Sequence, residues 1–363
     1  RDSCGVETAN GGIACEAVAL CGGLWSRAIA RMAGVSAPLY ACEHYALITK
    51  PFDGIYSGMP VLGAHDGYMY IRDEAQGLLI GSFEPNAKPI DLDQLPNDFS
   101  FDLLSENWEH FEPIMGEALH RIPALETAEV RMLLNGPESF TLDGAFLMGE
   151  APEVPGFFMC CGMNSMGVAS SGGAGRALAD WVVDGDPGVD LTSVDVRRFA
   201  RVRDTITAVR DRAAENLSIH YAIDYPGHEF RSARNLRLSP LHERLTSRGG
   251  EFGDRGGWER PSWFQPIAGG VSTDLRFGKP HWFDCVAREH RAAREAVAVF
   301  DQTSFGKILV QGSDATAFLE RTCAGRLDGP VGRVTYTPIL NQRGGYESDV
   351  AVSYTHLPLP TKA

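Results

Sequence analysis

A glycine-rich segment between residues 160 and 176 is the part of the sequence best suited to hold a planar or anionic ligand. It reads Cys-Cys-Gly-Met-Asn-Ser-Met-Gly-Val-Ala-Ser-Ser-Gly-Gly-Ala-Gly-Arg and follows an apolar run at 156–159. Glycine lets the backbone approach a ligand closely, and the N–H groups that begin a helix favour negative charge. The pattern predicts a strand, a turn and a helix N-terminus that face a ligand. A turn needed for packing alone has the same composition.

The eight cysteines do not form a metal site or a redox pair by their spacing. No two of them make a CxxC pair, and none lies near histidine at zinc-finger spacing. We interpret them as small buried hydrophobic residues in a reducing compartment and expect no metal. They are Cys4, Cys15, Cys21, Cys42, Cys160, Cys161, Cys285 and Cys323.

The elements before this segment alternate between strand and turn signals. Asn10-Gly11-Gly12 predicts a hairpin within residues 6–21, and residues 18–21 predict a buried strand that leads into a helix over 24–33. Residues 39–83 predict an antiparallel, β-rich subdomain with strands near 45–49, 68–71 and 78–80. This order suits the edge of a nucleotide-binding sheet beside a substrate-binding sheet.

The following elements are predicted mainly from apolar spacing. They comprise a loop at 86–98, a helix from Ser105 that Pro113 kinks or restarts, a strand at 156–162, and a helix over 173–184 that Gly185 ends. Residues 249–270 predict an irregular connector. Beyond it we expect helices at 284–299 and 314–321 and strands at 307–310, 334–339 and 348–352.

The fold class predicted from this order is α+β or α/β. We expect an oxidoreductase-like domain over 1–190 that contains a β-subdomain at about 38–125, a connector domain over 191–280, and a third domain that begins over 281–352. Residues 353–363 do not continue the preceding pattern, and we interpret them as a non-native tail.

The net charge of −14 argues against sequence-independent binding of nucleic acid or anionic membranes. The sequence has no run of 18 apolar residues, so it predicts no spanning helix. No signal peptide is recognisable at Arg1.

The motifs around the glycine-rich segment resemble one flavoprotein family. Asn-Gly-Pro-Glu-Ser-Phe-Thr-Leu-Asp-Gly occupies 135–144, Leu-Met-Gly-Glu occupies 147–150, and Gly-Phe-Phe occupies 156–158. Their order resembles the closing segment of D-amino-acid-oxidase-like flavoproteins, and it is most similar to the dimethylglycine/sarcosine dehydrogenase family. Leu142 stands where that family usually has proline.

Further blocks extend the resemblance to residues 6–352. Val-Ala-Leu-Cys-Gly-Gly-Leu-Trp-Ser-Arg at 18–27 resembles the family's strand before a tryptophan, and residues 234–240 and 256–261 resemble its connector. The blocks at 299–304, 312–315, 335–337 and 344–350 resemble the start of a glycine-cleavage aminomethyltransferase (T-protein) domain.

The resemblance implies FAD and tetrahydrofolate as cofactors and a small N-methyl amine as substrate. A hydride passes from the methyl carbon to the flavin, and tetrahydrofolate captures the iminium carbon. An electron-transfer flavoprotein or oxygen accepts the electrons, in the bacterial cytoplasm or the mitochondrial matrix. The implied flavin-binding residues are Gly22, Gly23, Trp25, Gly162, Met163, Asn164, Ser165, Met166 and Gly167.

The resemblance also implies catalytic roles for His44, Tyr45 and Asp349. His44 is a candidate ligand for the substrate carboxylate, and a structural histidine fits equally well. Ala46 stands where oxidising members have tyrosine, and Tyr45, one position earlier, points to the opposite face of a strand. Asp349 matches the acidic residue near folate. Tyr68, Tyr70 and Arg72 are the implied substrate-binding residues.

Two family features lie outside this sequence as we interpret it, namely the N-terminal glycine fingerprint for the ADP half of FAD and most of the folate domain. We therefore expect the 363-residue chain alone to bind neither ligand well and to be inactive. Two alternatives stay open. One is a non-catalytic subunit resembling the pyruvate dehydrogenase phosphatase regulatory subunit, and the other is a folate-dependent aminomethyltransferase.

Overall fold

The computed structural model describes residues 4–96, 98–199, 205–266 and 274–353. The chain divides into two compact units, residues 1–304 and 305–363, and each is considered by itself. Within the described ranges, no helix is both long and apolar enough to cross a membrane.

The first unit contains all but the last two strands and the last helix. Its helices are α1 Ser26–Met32, α2 Trp108–Arg121, α3 Gly167–Asp184, α4 Ile206–Ile219, α5 His242–Thr246 and α6 Phe283–Glu295. Its strands are β1 Cys4–Thr8, β2 Gly11–Cys15, β3 Val18–Leu20, β4 Leu39–Thr49, β5 Leu62–Ala64, β6 Met69–Glu74, β7 Gly77–Ser82, β8 Pro89–Ile90, β9 Val130–Thr141, β10 Leu147–Glu150, β11 Phe157–Cys161, β12 Gly250–Arg255 and β13 Trp258–Phe264.

A three-stranded sheet forms the edge that the sequence predicts for a nucleotide-binding fold. β3 runs parallel to β11, and β10 pairs with the other side of β11 in the antiparallel sense. α3 follows β11 directly and packs Ala174 and Leu178 against Phe158 and Met148. The predicted hairpin before this sheet is confirmed as the β1–β2 pair.

The larger sheet is antiparallel, as predicted, and its strand order is β5-β6-β7-β4-β8, with β9 also paired to β4. Because side chains alternate along a strand, β4 presents two different faces. Tyr45 is on the face that packs against Phe111 of α2. Cys42 is on the other face, which packs against Ala213 and Leu217 of α4.

Two predicted helix starts were wrong. α3 begins at Gly167, six residues before the predicted position, because the small residues at 168–173 continue the helix. α2 begins at Trp108, where the side chain of Asn107 accepts a hydrogen bond from the His110 N–H at 3.1 Å. Pro113 lies inside α2 without ending it, since a proline removes one intrahelical donor and the remaining turns still pack.

Three other predictions also need correction. The expected irregular connector contains the β12–β13 hairpin. Its turn uses Gly256 and Gly257 at φ 62° and 79°, a left-handed pair that favours hairpins. α6 ends at Glu295 instead of 299. Residues 307–310 form no strand, and Ile308 is 86% exposed.

The second unit is small. It contains α7 Ala315–Thr322 and a hairpin of β14 Val334–Leu340 with β15 Tyr346–Ser353, which confirms the two predicted terminal strands and the helix before them. Most of the predicted tail, 354–363, lies outside the described residues. The mixed α/β architecture with antiparallel sheets agrees with the predicted fold class.

Candidate functional site

Two glycine turns leave the same edge of the three-stranded sheet. β3 and β11 are parallel neighbours, with Leu20 opposite Met159. Gly22-Gly23 follows the first strand, and the Gly162–Gly167 segment follows the second. Adjacent carboxyl ends of parallel strands are the usual position of a nucleotide ligand in such sheets. The two groups of residues predicted to bind flavin are therefore brought together.

A buried asparagine holds the second turn, residues 162–166. Gly162, Asn164 and Ser165 have φ values of 63°, 48° and 65°, all left-handed. Asn164 is 2% exposed. Its Oδ1 accepts from the Thr141 N–H at 2.9 Å, and its Nδ2 donates to the Gly162 carbonyl at 2.6 Å. These bonds fix the turn to the end of β9.

The start of α3 offers backbone donors to a ligand. The Ser170 N–H makes the first helical hydrogen bond, to the Met166 carbonyl at 2.9 Å, and no side chain caps the helix. The N–H groups of residues 167–169 therefore carry the partial positive charge of the helix terminus. Val168 is 97% exposed beside them. This donor set and the open apolar surface fit the electron-rich edge of a flavin ring.

The first turn is less enclosed. Gly23, at φ 50°, has open space where a Cβ would stand, and Trp25 is 47% exposed. Gly22 instead packs against the side chains of Ile29 and Leu20. A Cβ at this position would lie 3.0 Å from the Ile29 methyl group and 3.3 Å from the Leu20 methyl group.

His44 lies between two carboxylates on the α4 face of the larger sheet. Its Nδ1 is 3.8 Å from Glu84 Oε2, and its Nε2 is 3.8 Å from Glu138 Oε2. Glu84 is 1% exposed, and its Oε1 accepts from the Ser82 hydroxyl at 2.6 Å and the Tyr45 N–H at 3.2 Å. Burial lowers the pKa of His44, but the two carboxylates outweigh it and raise the pKa overall.

Glu138 joins this histidine to the flavin-side turn. The Ser165 hydroxyl donates to Glu138 Oε2 at 2.6 Å, and the same oxygen faces His44 Nε2. The His44 side chain is 19% exposed and that of Glu138 is 29% exposed, so both remain accessible. A polar path thus runs from the turn through Glu138 and His44 to Glu84.

Aromatic rings form a wall beside His44. The Phe83 ring lies 4.6 Å from His44, 4.6 Å from His220 and 4.2 Å from Tyr221. His220 and Tyr221 directly follow α4, and Tyr70 meets Tyr221 edge-on at 5.9 Å. Burial lowers the pKa of His220. The wall excludes water from one side of His44.

The predicted substrate-binding residues have different surroundings. The Tyr70 ring lies over Gly81, which pairs with Ala46 on the neighbouring strand. Tyr70 therefore covers the backbone beside Ala46, the position where the family resemblance implies a tyrosine. Arg72 pairs with Glu74 on its own strand at 2.6 Å and is 44% exposed. It is not brought to His44.

Tyr68 is at the rim of a separate cavity of about 810 Å³ that is lined also by His65, Tyr225 and Arg231. Its backbone is left-handed at φ 54°. The cavity is close to the aromatic wall because His65 and Tyr221 rings lie 5.4 Å apart.

The other two predicted catalytic residues are Tyr45, on the opposite face of β4, and Asp349, in the second unit. Tyr45 is fully buried on the α2 face, where its hydroxyl donates to Glu43 and accepts from Asn135 at 3.3 Å. Asp349 belongs to the second unit, opposite Pro338 in the β14–β15 hairpin. It raises the pKa of the Tyr336 hydroxyl there, second to Tyr346.

Sequence reasoning missed four residues of this site: Phe83, Glu84, Glu138 and His220. Glu138 stands inside the Asn-Gly-Pro-Glu-Ser-Phe motif, which was a usable signal. Glu84 and Phe83 directly follow β7, and nothing local marks a buried charge. His220 directly follows α4 in the segment that the sequence predicted only as part of a connector domain, 191–280.

Comparisons with known proteins divide the chain into three matched regions. The family model for FAD dependent oxidoreductase matches residues 2–181, the FAD dependent oxidoreductase central domain matches 184–239, and the GCVT N-terminal domain matches 241–356. α4 therefore lies in the central-domain match, and its end reaches the site of the first match.

Three curated relatives match almost the whole chain. It is 39% identical to the mouse (Mus musculus) mitochondrial pyruvate dehydrogenase phosphatase regulatory subunit, over 96% of this chain and 40% of that protein. It is 39% identical to 4-methylaminobutanoate oxidase (formaldehyde-forming) of Paenarthrobacter nicotinovorans, over 96% and 42%, and 37% identical to human (Homo sapiens) mitochondrial sarcosine dehydrogenase, over 97% and 41%.

The chain thus spans about two fifths of the length of these relatives. Its matches comprise a flavin-dependent oxidoreductase region followed by a GCVT region. The chain belongs to the FAD-dependent oxidoreductases that carry a GCVT domain, and its relatives include sarcosine and dimethylglycine dehydrogenases.

Proposed function

We propose that the protein containing this chain oxidatively demethylates a small N-methyl amino acid with FAD and passes the one-carbon unit to tetrahydrofolate. The observation that supports this most is the contact chain from Ser165 through Glu138 to His44. It joins the turn suited to flavin to an accessible imidazole whose pKa is raised overall by two carboxylates. An amino acid needs such a group for its carboxylate, because a buried carboxylate requires a charged or hydrogen-bonding partner.

The residues of the chain have separate roles in this proposal. When bound, FAD accepts the hydride that leaves the methyl carbon. His44 orients the substrate carboxylate, while Phe83 and the rings after α4 exclude water from the developing iminium. Loss of the hydride and formation of the C=N bond leave a cationic iminium carbon. Tetrahydrofolate, when bound, would supply two amine nitrogens for that carbon, and their two protons would pass to the demethylated amine, which would leave as an ammonium ion.

Asp349 is the candidate residue for the folate step. The resemblance to aminomethyltransferases implies a carboxylate that assists proton transfer at the folate amines. Tyr336 and Asp349 lie on neighbouring strands of the β14–β15 hairpin, and Asp349 raises the pKa of the Tyr336 hydroxyl, second to Tyr346. With Asp349→Asn, we expect formaldehyde release to persist in the presence of tetrahydrofolate, because the oxidation step is untouched.

The test is anaerobic mixing of the flavin-loaded natural protein with sarcosine, dimethylglycine or 4-methylaminobutanoate. At least one amine should bleach the flavin absorption band, and His44→Ala should raise the amine concentration needed by about 10-fold to 100-fold. If no N-methyl amine bleaches the bound flavin, the proposed function is wrong. The electron acceptor, an electron-transfer flavoprotein or oxygen, is identified by reoxidation of the same sample.

A regulatory role is the second candidate. The 39% identity to the phosphatase regulatory subunit supports it, as does Ala46 at the position where oxidising relatives carry tyrosine. Such a subunit would bind an amine or flavin without turnover. Flavin that stays oxidised with every amine, together with altered activity of a partner phosphatase, would favour this role over demethylation.

A further inference from the structure

Glu138 has one oxygen that is still available to a ligand. Its Oε2 accepts from Ser165 and faces His44. Its Oε1 makes no hydrogen bond to any residue that the structure describes, and the side chain is 29% exposed. Ser165 is itself held in a left-handed turn at φ 65°. The carboxylate is therefore fixed on one side and open on the other.

The surroundings of Glu138 contain the groups that line the candidate substrate site. The charge of Glu138 acts to raise the pKa of His44, of His220 and of Tyr70. These groups come from β4, from the residue after α4 and from β6. The open oxygen therefore lies on the carboxylate that is 3.8 Å from His44 Nε2, the histidine that would take the substrate carboxylate.

If His44 takes the substrate carboxylate, the neighbouring carboxylate of Glu138 is placed to bind the substrate nitrogen. An N-methyl ammonium must first lose one proton to solvent, because the nitrogen lone pair drives the hydride from the methyl carbon. A secondary amine then still has one N–H, which donates to Glu138 Oε1. A tertiary amine has none left, so it places a methyl group against a charged oxygen.

We propose that Glu138 is a specificity-determining residue that binds the substrate N–H and selects secondary N-methyl amines over tertiary ones. This inference rests on the proposed function and narrows its substrate class to monomethylated amino acids. Sites built to hydrogen-bond an N–H discriminate against analogues that lack it, because the site's polar group is then left unpaired. Since Glu138 is partly exposed, we expect discrimination of about 10-fold to 100-fold.

The experiment compares sarcosine with dimethylglycine in the natural protein loaded with FAD. Two readouts are needed, namely kcat/KM from flavin reduction and Kd from calorimetry under conditions without turnover. Wild type should favour sarcosine by about 10-fold to 100-fold in kcat/KM. Glu138→Gln, which keeps the shape and removes the charge, should shrink that ratio about 10-fold, and Glu138→Leu should abolish it.

Glu129→Gln is the matched control. Glu129 precedes β9, is 73% exposed and pairs with Lys50, so its substitution should leave the ratio unchanged. Ser165→Ala removes the hydrogen bond that fixes Glu138 but keeps the carboxylate. It should therefore reduce the kcat/KM preference for sarcosine partially. Thermal unfolding of each variant checks that it is folded.

The outcomes separate this inference from the proposed function. Equal reduction by both amines, unaltered by Glu138→Gln, overturns the inference and leaves the demethylase proposal standing. Preferential binding of sarcosine that depends on Glu138, without flavin reduction, supports the inference and overturns the demethylase proposal. If neither amine binds or reduces flavin in wild type, both are overturned.

Discussion

Glu84 Oε2 lies 3.8 Å from His44 Nδ1, and neither atom has a hydrogen-bond partner among the described residues. Glu84 is almost fully buried, and His44 is mostly buried. A buried carboxylate whose one oxygen is unsatisfied is costly unless a positive charge lies nearby. When it is protonated, the His44 imidazole supplies that charge, so the stability given by the pair depends on pH.

The first prediction concerns Glu84→Gln. Because the pKa of His44 is raised in the folded protein, its pairing with Glu84 contributes its full stabilisation below pH 6.5, the ordinary pKa of histidine. This stabilisation is lost as the pH rises through the raised pKa. The substitution should therefore lower the free energy of unfolding by about 1–3 kcal/mol at pH 5.5. The loss should be smaller at pH 9.

Urea unfolding at the two pH values measures this difference. Glu74→Gln serves as the control, because Glu74 pairs with the exposed Arg72 on the same sheet and arginine does not titrate in this range. An effect of Glu84→Gln that is the same at both pH values would show that His44 is not the titrating partner.

The second prediction concerns Gly81, which the Tyr70 ring covers. A Cβ at this position would overlap the Tyr70 ring, so Gly81→Ala should displace the ring and destabilise the fold by about 1–3 kcal/mol. Tyr70→Ala should remove most of that cost in the double variant. Urea unfolding of the four proteins gives the coupling, expected at about 1–2 kcal/mol. Additive effects would contradict this arrangement.

The third prediction concerns thiol reactivity. Burial raises the pKa of Cys160 to about 11 and those of Cys42 and Cys161 to about 12. Since the thiolate is the reactive form, iodoacetamide at pH 8 should label the exposed Cys21 and spare these three. Peptide mass spectrometry gives the labelled fraction. Labelling of the three at the rate of Cys21 before unfolding would show that they are accessible.

The local elements of the fold were predictable from the sequence because their signals are local. The strand-like run at residues 45–49 predicted a strand that became part of β4, and Gly185, at φ 77°, ended α3 as expected. The Gly256-Gly257 pair was an equally local signal for the β12–β13 hairpin. It was missed because the flanking residues lack clear alternation of polar and apolar side chains.

The candidate site was predictable only in part, since its contacts join residues that are distant in sequence. The Gly162–Gly167 turn was identified by composition, but its bond from Ser165 to Glu138 spans 27 residues. The contact between Phe83 and His220 joins residues from two different family matches. No local sequence pattern around either residue predicts it. The burial of Glu84 likewise depends on how α4 covers the sheet.

The last prediction concerns Asn164, the residue that fixes the flavin-side turn. Asn164→Ala removes the bonds to the Thr141 N–H and the Gly162 carbonyl and puts alanine at φ 48°, which costs more for alanine than for asparagine. We expect a loss of about 2–4 kcal/mol in the free energy of unfolding. Affinity for FAD should fall as well, because the start of α3 loses its orientation.

Asn164→Gly separates the two causes. Glycine tolerates the left-handed backbone but lacks the amide, so it should recover the part of the loss that comes from backbone strain, about 1–2 kcal/mol. Urea unfolding gives the stability, and fluorescence titration of the full natural protein with FAD gives the affinity. If Asn164→Gly is as stable as wild type and binds FAD equally well, the amide bonds do not hold the turn. If it is no more stable than Asn164→Ala, backbone conformation contributes nothing and the amide carries the whole effect.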